Sequence, residues 1–127
     1  MSSLAFLPRP DPAKQPVDVA TVQRTIDQGR GLRDLPLTMD SLADLERLLR
    51  GHITLLLPHA HAATERLPHD SAARHVHISR TEAIERQAEQ GLGEGTLSAH
   101  VQVAQLARDC QWLLERHQGT EALVRSG

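Results

Sequence analysis

A chain of 127 residues with a net charge of −2 suits one domain around one core, and carries no electrostatic footprint for nucleic acid or an anionic membrane. One Phe, one Trp and no Tyr leave the core to Leu, Ile, Val and Ala, which favours an all-α fold. The lone Cys110 allows no internal disulfide and fits a reducing cytoplasm.

Residues 1–16 hold four prolines and few hydrophobes, so they read as an extended tail. Its apolar run is short and lacks a basic stretch ahead of it, unlike a secretory signal. The helical domain is expected over 17–118. Asp18 can cap a short helix with apolar Val19, Val22 and Ile26, ending at Gly29. After the loop "GRGLRDLP", Asp40 or Ser41 starts the longest periodic segment. Leu42, Leu45, Leu49, Ile53, Leu56, Ala60, Ala63 and Leu67 recur at spacings of three and four, which marks a helix packed along one face. Pro68 ends it. A third helix is expected from Asp70 to Gln90, capped by Asp70 or Ser71. A fourth should follow the break "GLGEG", start at Thr96 or Ser98, and stop at Gly119, leaving 119–127 as a flexible tail. Short connections make these helices antiparallel neighbours, so the expected architecture is a bundle of three long helices and one short one. No apolar run approaches membrane-spanning length.

The segment "RGHITLLLPHAHAATERLPHD" tests that reading, with its glycine, two prolines and four histidines. Gly51 and Pro58 lie seven apart on the side away from the leucine stripe, where the hydrogen bond a proline removes is replaced by water. They read as a bend, with a moving hinge as the alternative. Two metal ligands on one helix must stand three or four apart. His59 and His61 are two apart, as are His75 and His77, and His52 lies two turns from His59. A metal site would have to be assembled between helices, from His59, His69 and His75. No Cys partner or Glu-x-x-His motif supports one.

On the third helix Ala72, Ala73, Val76, Ala83, Ile84 and Ala88 form the expected buried arc, and Arg80 projects into it. A buried guanidinium needs a carboxylate or several carbonyls around it. Arg80 is therefore either an anion contact in an inter-helix pocket, with His77 or His52 as polar lining, or a side chain that reaches the helix edge. On the fourth helix Ala99, Val103, Leu106, Ala107, Cys110, Leu113 and Leu114 form the main stripe, which makes Cys110 a core residue. Leu97, Val101 and Trp112, with Arg108, form a second stripe. This is either a surface for another protein or the seat of the first helix or the tail.

No phosphate loop, nucleophile elbow or catalytic triad spacing occurs, and nothing points to a cofactor. The charge and the lack of a basic recognition helix disfavour direct nucleic-acid binding. Leu49-Arg50-Gly51-His52, Leu56-Leu57-Pro58 and the turn Leu67-Pro68-His69-Asp70, followed by Glu82-Ala83, resemble a small actinobacterial family of unknown function over about residues 40–118. Its members are often labelled natural product biosynthesis proteins. His59 stands where an acidic residue is common in that pattern. The resemblance implies an accessory or regulatory role and no established site residues. The residues favour a non-enzymatic interaction module, associating with itself as a homodimer or with another protein. The alternative is a small-molecule binder or accessory enzyme with Arg80 in a pocket.

Overall fold

The structure, a computed structural model, describes residues 16–31, 38–90 and 96–126, with side chains described for 16–31, 38–90 and 98–119. Four helices account for nearly all of them: α1 (Val19–Arg30), α2 (Met39–Glu65), α3 (Ala72–Glu89) and α4 (Thr96–Ser126). No strand occurs among the described residues, so the fold is all-α as the composition favours. Apart from Pro16, the expected N-terminal tail lies outside the described residues.

The starts of the first three helices are fixed by side-chain caps. Asp18 accepts from the Thr21 N–H at 3.1 Å and from the Thr21 hydroxyl at 2.7 Å. Thr38 accepts from the Ser41 N–H at 3.1 Å, so α2 begins before Asp40, which falls in its first turn. Ser71 accepts from the Arg74 N–H at 3.1 Å and starts α3. Each satisfies an amide that the helix itself cannot. Two glycines do not stop helices as their residue type predicts. Gly29 lies inside α1, with Gly31 as the C-terminal cap, and α4 passes through Gly119 to Ser126. A glycine ends a helix only where the chain turns at it; inside a helix it costs about 1 kcal/mol relative to alanine, which neighbouring turns can offset. α2 likewise runs unbroken across Pro58.

Successive helices alternate in direction. His52 reaches Thr25 between α2 and α1, Thr64 reaches His77 between α2 and α3, and Arg80 reaches Asp109 between α3 and α4. α2 and α4 therefore run parallel and share the most extensive interface. Leu42, Leu49, Ile53 and Leu56 pack there with Val103, Leu106, Leu113 and Leu114, all nearly inaccessible to solvent. α1 docks into one side of this pair through Val22, Ile26 and Gly29. α3 lies along the other side.

α3 is rotated from the orientation its apolar residues predict. Ala72, Ala73 and Val76 are exposed, Val76 by 66%, while Thr81 and Ile84 are buried and His77, Ile78 and Ala88 half-buried. Burial tracks available partners as well as apolarity: Thr81 donates to the His77 carbonyl at 2.7 Å, so its hydroxyl enters the core without loss.

Gly29 allows the close approach of α1. A Cβ there would lie 3.0 Å from the Ala107 Cβ and 3.3 Å from the Leu49 Cδ1, whereas a Cβ on exposed Gly51 meets nothing within 4 Å. The same substitution should act with opposite sign at the two sites. Gly29→Ala should lower stability by about 1 kcal/mol and Gly29→Val by more, since crowding outweighs helix propensity. Gly51→Ala should raise it by about 0.5–1 kcal/mol. Thermal unfolding of the three variants checks both.

Candidate functional site

A polar cluster lies where α3 crosses α4, around Asp109. Three residues after Leu106 and four before Leu113, Asp109 falls within the core stripe of α4. Its side chain is only 4% exposed. The carboxylate accepts from the Gln105 side-chain amide at 2.9 Å and from the Arg80 guanidinium at 3.2 Å. Burial pushes its pKa up, and the Gln105 hydrogen bond, Arg80 and Arg108 offset that in part. Arg80 thus has the carboxylate partner that its place in the sequence calls for. Its side chain remains 40% exposed, while its Nε is buried without a hydrogen-bond partner.

Trp112 lies one helical turn along α4 and is enclosed from three directions. The His77 ring meets it at 5.0 Å, tilted by 47°, and the guanidinium carbons of Arg80 and Arg116 lie 5.9 and 5.2 Å from the ring centre. Two cations within about 6 Å of an indole face are held by its quadrupole. α3, not α1, therefore supplies much of the cover of Trp112. α1 lies on the other side of α4, where Gln23 meets Gln111 at 2.9 Å. Of the other residues in the second stripe, Val101 is 59% exposed, Arg108 is exposed and donates to Gln105 at 2.8 Å, and the Leu97 side chain lies outside the described residues.

Two histidines hold the flanking helices by the same device. The Thr25 hydroxyl donates to the Thr21 carbonyl at 3.1 Å and the Thr64 hydroxyl to the Ala60 carbonyl at 2.9 Å. A hydroxyl has one proton, so each then accepts from a histidine: Thr25 from His52 Nε2 at 3.1 Å, Thr64 from His77 Nδ1 at 2.7 Å. Burial lowers the pKa of both. At His52 the Asp18 carboxylate offsets this in part, and at His77 the Arg116 charge adds to it. His52 thus serves the α1–α2 junction, away from the site where His77 and Arg80 meet.

The three histidines from which a metal site would have had to be assembled do not converge. His69 and His75 are exposed, and His59 packs edge-on against His117 at 4.6 Å between α2 and α4. Among the described residues no three His, Cys, Asp or Glu side chains are placed to hold a metal ion. His117 and Asp109 both escape a reading that looks only for apolar residues, although each sits at stripe spacing. Cys110 is buried, and its thiol is pushed up to about 12 by burial and by Asp109, which makes it unreactive. A wide-open depression of about 490 Å³ is lined by His75, Val76, Ser79, Arg80 and Ala83 on the outer face of α3. No described helix is long and apolar enough to cross a membrane.

These features define a four-helix protein whose third helix is held by polar contacts. The chain belongs to a family of unknown function, DUF6415, whose pattern matches residues 18–122 and so takes in α1, α2, α3 and most of α4. No curated protein and no solved structure matches it. The motifs behind the resemblance have structural roles here. Leu49 is core, Arg50 ties α2 to the Gln90 carbonyl at the end of α3, and His52 holds Thr25. In the Leu67–Asp70 turn, Arg74 donates to the Thr64 carbonyl at 3.1 Å and to that of Leu67 at 3.4 Å.

The raised pKa of Asp109 means that the folded chain binds its proton more readily than the unfolded chain, so the ionised carboxylate weakens folding at neutral pH. Asp109→Asn keeps acceptors for Arg80 and Gln105 and should raise the melting temperature at pH 7. That gain should shrink as pH falls through the folded pKa. The histidines act in the opposite sense. Their lowered pKa values make stability complete above about 6.5 and reduced as pH falls below it, where the unfolded chain binds protons that the folded one refuses. His77→Gln should flatten the decline between pH 7 and 5 in a series of thermal melts.

Proposed function

We propose that the protein is a non-enzymatic interaction module that associates with itself through the outer face of α3 and the adjoining edge of α4. One observation carries this reading: α3 turns Ala72, Ala73 and Val76 to solvent while placing His77 and Thr81 against the bundle. Apolar residues aligned along one exposed helix face are what a partner would cover. Exposed Val101 and half-buried Trp112 extend the apolar character onto α4, and Arg80 spans the two helices. The resemblance to actinobacterial proteins labelled for natural product biosynthesis supports an accessory or regulatory setting for such a module.

The alternative, a small-molecule site at Arg80, draws support from the open depression beside it and from its unpartnered Nε. The Asp109 carboxylate already occupies the other side of that guanidinium, which leaves less charge for an anionic ligand.

Light scattering over a range of concentrations tests the reading. A dimer that dissociates on dilution is expected, and Val76→Asp should shift it to monomer without changing helix content. A monomer at every concentration would sink self-association.

A further inference from the structure

We propose that α3 opens as a unit from a scaffold of α1, α2 and α4, and that protonation of His77 drives the opening. Every contact involved joins α3 to its own bundle, so the device is independent of self-association. Among the described residues, every buried apolar core side chain belongs to α1, α2 or α4 except Ile84. α3 also packs against α4 over a much smaller interface than α1 or α2 does. Thr81, its other buried residue, satisfies its hydroxyl within α3 and so loses no hydrogen bond on opening. Much of the remaining attachment is polar: His77 to Thr64, Arg80 to Asp109, Glu85 to His61, and Arg50 to the Gln90 carbonyl after the last turn. A segment with so little apolar burial opens at a lower free energy than the fold as a whole.

His61 and His77 are the anchors that titrate nearest neutral pH. His61 gains attraction to Glu85 when protonated, but side chains 54% and 38% exposed keep little of it against solvent. His77 is half-buried, with its Nδ1–H on the Thr64 hydroxyl and its ring against Trp112. A second proton leaves that hydrogen bond in place and adds a charge where Arg116 already lies at the same indole. Arg80 lies at that ring too, and the Asp109 carboxylate of α4 is engaged by Arg80 and Gln105. On α2, Thr64 is uncharged and Glu65 beside it is exposed, while Arg74 of α3 is taken up by the Thr64 and Leu67 carbonyls. Burial and Arg116 therefore hold the proton off the docked ring, and opening returns the ring to water. The open form binds the proton more readily, so docking is complete above about 6.5 and weakens as pH falls below it. Asp109 acts in the opposite sense, because its raised pKa makes protonation favour the docked form. Its influence extends upward from 3.8 and that of His77 downward from 6.5, so His77 governs the range just below neutrality.

Hydrogen exchange of the full chain, with emission from Trp112, its only tryptophan, tests this. Between pH 7 and 5, α3 amides should lose about tenfold in protection relative to unstructured amides at the same pH, while α2 and α4 keep theirs. Trp112 emission should move to the red over the same range. His77→Gln keeps a donor for Thr64 and takes no proton, so it should abolish both responses. Arg116→Gln, at an exposed position, should weaken them, and His52→Gln, at the α1–α2 junction, should leave them unchanged. Protection lost together from α2, α3 and α4 at every pH would overturn the separate opening of α3. An undiminished response in His77→Gln, or in Arg116→Gln should the first variant fail to fold, would overturn His77 as its trigger.

Discussion

The parallel seam between α2 and α4 is the constraint on which the rest of the structure depends. With almost no aromatic side chains, the chain must gather its buried area from many aliphatic ones, each worth about 1.5–3 kcal/mol when fully buried. Leu42, Leu49, Ile53, Leu56, Leu113 and Leu114 are all close to zero exposure in this seam. α1 then docks through Val22, Ile26 and a glycine, with Thr25 tied to His52, because the central pair already presents a groove. The absence of a Cβ at Gly29 brings the α1 backbone against Ala107 and Leu49, close enough for dispersion to act over its short length.

α3 is held differently. Thr81 and Ile84 are its buried residues, and much of its attachment is polar: the Thr64–His77 hydrogen bond, the Arg80–Asp109 pair, the His61–Glu85 contact at 2.5 Å, and the Arg74 bonds into the turn. Such contacts contribute modestly to net stability, yet they fix orientation, because an amide or carboxylate left buried without its partner is costly. They rotate the helix so that an alanine and valine face points outward. A helix fixed by directional bonds on one side can offer its other side to a second surface without being drawn inward. That is the physical link between the Asp109 cluster and the exposed outer face of α3.

Asp109 also explains how the aromatic cluster is arranged. By engaging the Arg80 guanidinium from behind, it sets that cation near the Trp112 face, while Arg116 approaches the same ring from its own helix. His77 closes the remaining side and stays neutral through burial, which avoids a third positive charge at the ring.

The helical class, the leucine stripe of α2, the Cys110 stripe of α4, the cap Asp18 and, as one of two candidates beside Asp70, the cap Ser71 were legible in the sequence, because spacing and local hydrogen bonding within one segment determine them. The partner of Arg80 was legible as a requirement and not as a residue, since twenty-nine positions separate Arg80 from Asp109. Gly29 and Gly119 look alike in sequence, and packing distinguishes them: one is pressed between α2 and α4, the other meets nothing within 4 Å. The rotation of α3 was decided by the tertiary structure alone. Local periodicity ranks faces by apolarity, whereas the folded chain ranks them by which groups can be satisfied once buried, and for His77, Thr81 and Arg80 those partners lie on the helices or turns around them.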